Sequence, residues 1–217
     1  MYIISWNLYL EIVIRKYFWY NLIGEVMKTI SNKKMNEIII KNSRFICYLI
    51  PIEKDNVEDI INEIRYEHIK ATHVCYAYIF DEVKHSSDDG EPSGTAGLPI
   101  LNVLEKEELN YTLAVVVRYF GGIKLGAGGL VRAYTKSVTE TLKNVTYVKL
   151  IPGFKISITF AYENEKDVLY IVGENNIIDK KYLENITYTC YVDIDTLEKL
   201  SRYSPDIIEK CNIKELN

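Results

Sequence analysis

The sequence predicts an α+β protein organised as two domains. Strand-type and helix-type hydrophobic periodicities both recur along its 217 residues. Pro152-Gly153 is the strongest breaker pair between periodic segments and reads as the domain boundary. After that pair the order is strand, helix, strand, strand, helix. Such a length suits one large domain or two small ones, and 48% hydrophobic residues suffice for packed cores. The divisions read from the sequence are residues 1–26, 27–151 and 153–217.

Residues 1–26 are rich in Ile, Leu, Tyr and Trp, but Glu11, Arg15, Lys16 and Glu25 interrupt them. No run of about 18 apolar residues results, so a membrane span is not expected. A basic start and a small-residue cleavage site are also missing, so the segment is a poor signal peptide. Residues 37–41 and 44–52 read as two strands, with Asn42-Ser43 as the hairpin turn between them. Asp55 reads as an N-cap with Glu58 three residues on. Val57, Ile60, Ile61, Ile64 and Ile69 recur at helical spacing and predict a helix over 56–69.

Alternation through His73, Cys75, Ala77 and Ile79 predicts the next strand, ending near Asp81, with His73 as a structural residue on the Cys75 face. A helix is predicted over 96–104, where Pro99 falls in the tolerated first turn. A buried strand follows over 113–119. A second helix, marked by Leu130, Val131, Tyr134, Val138 and Leu142, runs to about Lys143. Residues 147–151 read as a short strand.

Beyond the boundary, Phe154, Ile156, Ile158 and Phe160 alternate as a strand, and residues 165–174 carry helical spacing. Residues 177–182 and 186–192 read as a hairpin. Asp193 or Asp195 is placed to cap a helix to about Tyr203. This is the ferredoxin-like order. Its final strand is weak and would come from Ile207-Ile208 or from residues 211–216.

Most of the 11 glycines fall in two loops. Glycine costs backbone entropy, so clustering it implies φ > 0 turns or close backbone approach. The first loop, residues 87–97, is acidic at its start (Asp88, Asp89, Glu91) and continues through Ser93 and Thr95. Three carboxylates would suit a divalent metal, but the spacing does not match a calcium loop. A solvated acidic turn is the plainer reading. Ser93 lies outside a G-x-S-x-G elbow.

The second loop carries Gly121, Gly122, Gly126, Gly128 and Gly129 between a strand and a helix. Free N–H groups at such a junction form an anion nest, helped by the helix N-terminus. Lys124 and Arg132 add formal charge. Neither a P-loop nor a dinucleotide fingerprint is in register.

Taken together, Asp88-Asp89-Gly90-Glu91-Pro92-Ser93-Gly94-Thr95-Ala96-Gly97 and the run from Arg118-Tyr119-Phe120-Gly121-Gly122 through Lys124-Leu125-Gly126, Gly128-Gly129-Leu130 and Arg132-Ala133-Tyr134 resemble the IMPACT/YigZ family. The resemblance covers roughly residues 36–148, and the C-terminal part in pattern only. It implies an N-terminal domain like the second domain of ribosomal protein S five. It also implies a C-terminal domain like the ferredoxin-type domains of elongation factor G. Family members are linked to translation control or proposed to bind nucleic acid. Met27-Lys28-Thr29-Ile30 looks like a natural family start, so residues 1–26 read as an over-long translation start.

The leading functional expectation is a cytoplasmic, translation-associated regulatory module that binds RNA, the ribosome or another anion. Arg118, Lys124, Arg132 and the loop N–H groups would make the contacts. An internal ion pair from Arg118 to Asp88, Asp89 or Glu91 is the structural alternative. A hydrolase using the acidic loop is the second expectation, although no nucleophile–base pair stands out. A protein-interaction module binding a translation factor is the third. A net charge of −4 argues against a broad nucleic-acid footprint but leaves room for a local basic cleft. Cys47, Cys75, Cys190 and Cys211 include no C-x-x-C pair, and His68, His73 and His85 complete no zinc pattern. With no secretory signal, the compartment reads as reducing. No cofactor or metal is expected.

Overall fold

A computed structural model describes residues 27–52 and 56–214. The N-terminal segment and the Asp55 cap lie outside the described residues. The chain forms two compact units, one over Met27–Val148 and one beginning at Lys149.

In the first unit, β1 (Lys28–Ile30) is followed by β2 (Lys34–Ile40) and β3 (Ser43–Pro51). These two pair antiparallel across a two-residue turn, Lys41-Asn42, with φ of 45° and 65°. That places the turn one residue earlier than the sequence suggests, because Asn42 takes the left-handed second position and Ser43 already pairs with Ile40. Helix α1 (Val57–Glu67), β4 (His73–Phe80), β5 (Val83–Ser87), α2 (Gly97–Lys106), β6 (Thr112–Tyr119) and α3 (Ala127–Leu142) complete the unit. The sheet order is β2-β3-β6-β4-β5, with every pair antiparallel.

Strands β3 and β6 are buried on both faces, which their unbroken apolar runs encode. Phe45, Cys47 and Leu49 point with Ala114 and Val116 into a core shared with α2 and α3. Ile46, Tyr48 and Ile50 point the other way, with Val115 and Val117, against Ile61 and Ile64 of α1. The sheet is therefore sandwiched between helices.

Strand β5 was not expected. Val83-Lys84-His85-Ser86-Ser87 lacks an apolar alternation because it is an edge, pairing only with β4.

The second unit continues from β7 (Tyr147–Phe160) through α4 (Glu165–Val172), β8 (Ile177–Tyr182), β9 (Ile186–Val192), α5 (Ile194–Lys199) and β10 (Asp206–Lys214). Its antiparallel order is β10-β7-β9-β8. Asp193 caps α5 by accepting from Thr196 N at 2.8 Å. Strand β10 supplies the final strand in one piece.

The chain does not break at Pro152-Gly153, since β7 runs straight through it. Pairing with β9 begins only at Phe154, so Pro152 removes no N–H from that ladder. Gly153 is there for close packing. A Cβ on it would meet Ile213 Cδ1 at 2.7 Å and Val192 O at 2.9 Å.

Candidate functional site

The two glycine-bearing loops of the first unit meet around one pocket of about 360 Å³. Thr72 and His73 at the start of β4 form one wall, and Glu91 and Pro92 of the acidic loop another. Arg118 and Phe120 close it at the end of β6, and the stretch from Lys124 to Ala127, with Leu130, forms the rim.

The acidic loop turns its charges inward. Asp88 Oδ1 accepts from Ala96 N and Gly97 N at 2.9 and 2.8 Å, and Oδ2 accepts from Gly94 N at 2.8 Å. It thereby caps α2, whose own N-cap residue Ala96 has no side-chain oxygen. Burial is the largest single influence on this carboxyl and pushes its pKa up. The donors from Gly94, Gly97 and Ala96 together outweigh it and hold the group below the usual aspartate value. Gly97 is required at that junction, because a Cβ would lie 2.7 Å from the backbone of Ser87.

Asp89, at φ 43°, accepts from Arg65 Nη2 at 2.7 Å and from Val74 N at 2.6 Å. Its carbonyl faces His73 Nδ1 at 2.8 Å. Thr95 Oγ1 donates to Pro92 O at 2.6 Å, and Ser93 is exposed.

Glu91 is the buried member of the loop. Its Oε1 accepts from Arg118 Nη1 and, at 2.9 Å, from Tyr134 Oη. Its Oε2 lies 3.8 Å from His73 Nε2. Arg118 is 5% exposed and sits over the rings of Phe45 and Phe120, each 5.5 Å from its guanidinium carbon. Its Nε has no hydrogen-bond partner among the described residues. Of the two readings of Arg118, the internal pair is the one formed, with Glu91 as the partner.

Tyr134 and Cys75 complete the network, the thiol donating to Asp88 O at 3.0 Å. Burial pushes the Cys75 thiol up to about 12 and the Tyr134 phenol far above its ordinary value, so neither ionises near neutrality. No sequence pattern announces this Glu91–Tyr134–Cys75 chain. The helical spacing placed Tyr134 only on the apolar face.

The second loop ends in a helix start whose donors have no side-chain cap among the described residues. Gly126 (φ 71°, ψ 165°) opens α3 without a side-chain cap. The first intrahelical bond is Leu130 N to Gly126 O, at 2.9 Å. The N–H groups of Ala127, Gly128 and Gly129 are thus first-turn donors. Lys124 is exposed on the rim, with no ion-pair partner among the described residues. Arg132 is exposed outside the pocket lining, its Nη1 beside Gly128.

The glycines divide by cause. Gly121 packs on the β2–β3 turn, where a Cβ would lie 2.0 Å from Asn42 C. Gly122 and Gly126 have φ of 83° and 71°. Gly128 has neither constraint, and a Cβ there would meet only Arg132 Nη1 at 3.9 Å.

Among the described residues, no group of three or more His, Cys, Asp or Glu side chains is placed to hold a metal ion. Among the same residues, no helix is long and apolar enough to cross a membrane.

The Impact N-terminal domain model matches residues 41–142, spanning both loops. The chain is 40% identical to the IMPACT family member YvyE of Bacillus subtilis (strain 168) over 199 residues, covering 86% of this chain and 89% of that protein. It is 37% identical to the IMPACT family member YigZ of Escherichia coli (strain K12) over 153 residues, 66% of this chain and 74% of that protein. A crystal structure of a hypothetical protein, 29% identical, superposes with a TM-score of 0.61 over 87% of this chain and 98% of its own. On the strength of these matches, the chain belongs to the IMPACT family.

Proposed function

We propose that this protein is a cytoplasmic, translation-associated regulatory module that binds an anionic ligand, RNA or the ribosome, through the pocket at the start of α3. The link to translation comes from the family, and the anion from local physics. The observation that carries it is the uncapped N-terminus of α3 opening on the same pocket as Lys124 and Arg118. Such a terminus presents free N–H groups and about half a positive charge to an approaching anion.

The strand order of the second unit supports reading it as ferredoxin-like, and the family resemblance supports reading the first unit as a domain like the second domain of ribosomal protein S five. The hydrolase reading is less attractive. Both oxygens of Asp88 and of Asp89 are taken by donors within the fold, as is Oε1 of Glu91.

The test is RNA and ribosome binding across a salt series, for the native chain and for Lys124→Ala/Arg132→Ala. Binding should weaken with salt, and the double variant should bind less tightly with a slope shallower by about one to two charges. Absence of binding at low salt would overturn the reading and favour a protein partner.

A further inference from the structure

We propose that the pocket at the start of α3 takes a single nucleotide unit, its phosphate on the helix N-terminus and its base against Phe120. This rests on the anion-binding reading above and names the ligand's chemical class.

Gly128 is the first observation. It sits in the first turn of α3, at negative φ, and a Cβ there would make only an ordinary contact with Arg132 Nη1 at 3.9 Å. Helical glycine is costly relative to alanine, and nothing in the fold asks for it here. A group that must touch the N–H donors of the first turn does ask for it, as in other phosphate-binding turns.

Arg118 is the second. It lines the pocket, is 5% exposed, and leaves Nε unpartnered among the described residues. Buried donors are ordinarily satisfied, and this one is not.

Charge selects the anion. Glu91 balances Arg118, which leaves Lys124 and the helix terminus, worth about half a charge, on the rim. That matches a phosphate monoester of one to two negative charges.

The rest of the pocket selects the remainder of the ligand. Pro92, Leu125 and Leu130 give it apolar walls, and Phe120 lies 46% exposed with its ring against the Arg118 guanidinium. Inorganic phosphate makes no use of such surface, whereas a base stacks on it. The volume, about 360 Å³, lies near the low end for small-molecule sites and suits one nucleotide rather than a duplex.

The experiment is calorimetric titration of the full chain with AMP, ribose 5-phosphate, inorganic phosphate, and a short single-stranded oligoribonucleotide with and without a 5′-phosphate. AMP should bind about tenfold or more tightly than ribose 5-phosphate. Phe120→Leu should erase most of that gap. Gly128→Ala should weaken both ligands about tenfold while its melting temperature holds or rises. A 5′-phosphorylated oligonucleotide that outbinds AMP makes the ligand an RNA end, and equal affinity makes it a free nucleotide. Equal affinity for AMP and ribose 5-phosphate would overturn the base contact and leave the anion site standing. Failure of every phosphate-bearing probe would overturn both. A melting temperature lowered by Gly128→Ala would show that the fold itself requires that glycine, removing the argument built on it.

Discussion

The two glycine-bearing loops face one pocket and treat polar groups in opposite ways. In the acidic loop, formal charge is consumed inside the fold: Asp88 on three backbone donors, Asp89 on Arg65 and Val74, Glu91 on Arg118 and Tyr134. In the loop before α3, no side chain among the described residues caps the helix terminus, and its first-turn N–H groups have no intrahelical partner. The acidic residues in this pair of loops hold the scaffold in shape, and the first-turn N–H groups of α3 are left without a partner among the described residues. Net charge on a motif is therefore a poor guide to its role. What counts is whether its donors and acceptors are already matched.

Breaking the internal pairing should give the largest effect. Arg118→Met strips Glu91 of its buried cationic partner, leaving a carboxylate at 8% exposure. The cost should be about 3–5 kcal/mol by urea denaturation. Replacing both residues, as Arg118→Met/Glu91→Leu, should recover much of it, because the apolar pair has no charge to desolvate. A single-variant loss below about 1 kcal/mol would show that solvent reaches the pair and relieves it.

Next comes Gly121→Ala. The added Cβ would sit 2.0 Å from Asn42 C and 2.4 Å from Ser43 N, so backbone must move. Overpacking of this kind costs about 1–3 kcal/mol or more. Indifference to the methyl group in a thermal melt would mean that the β2–β3 turn is free to shift away.

Asp88→Asn should be milder, at about 1–2 kcal/mol, the worth of a good helix cap. It also has a pH signature. The folded-state pKa lies below the unfolded value of about 4. The stabilisation is then complete above that value and is lost as pH falls through the folded-state pKa. Stability measured from pH 6 down to pH 2 should therefore fall less steeply in the variant than in the native protein. Parallel curves would remove Asp88 from the acid response.

These contrasts also show what the residues disclose before any coordinates. The apolar runs of β3 and β6 announce strands buried on both faces, and the resemblance in the two motifs announces the family. The second sheet was legible because its strands alternate cleanly, from Phe154 to Phe160 and from Ile186 to Val192. Edge strand β5 was not, since an exposed edge carries no hydrophobic period. The strand predicted over 147–151 does not end at Pro152-Gly153, because a proline ahead of the β9 pairing and a glycine under Ile213 both belong to a continuous strand. The Arg118–Glu91 pair could be raised as an alternative from sequence, because opposite charges in two adjoining loops invite it. Its further reach to Tyr134 and Cys75 depends on α3 packing across β2, β3 and β6 so that Tyr134 Oη comes within 3.3 Å of Cys75 Sγ, which no local pattern encodes.

The smallest predicted effect separates the two loops most cleanly. Gly97 and Gly121 are glycine because a Cβ would strike backbone, at 2.7 and 2.0 Å respectively. Gly128 meets no such obstacle. Alanine there should stabilise the chain by up to about 1 kcal/mol, since it removes glycine's excess entropy from a helical position. Paired melts of Gly97→Ala and Gly128→Ala should move in opposite directions. If both fall, the first turn of α3 is as tightly built as the cap of α2, and its glycines serve the fold. If only Gly97→Ala falls, the glycine at 128 is retained at a cost to stability, and the compensation has to come from something outside the chain that approaches the backbone there.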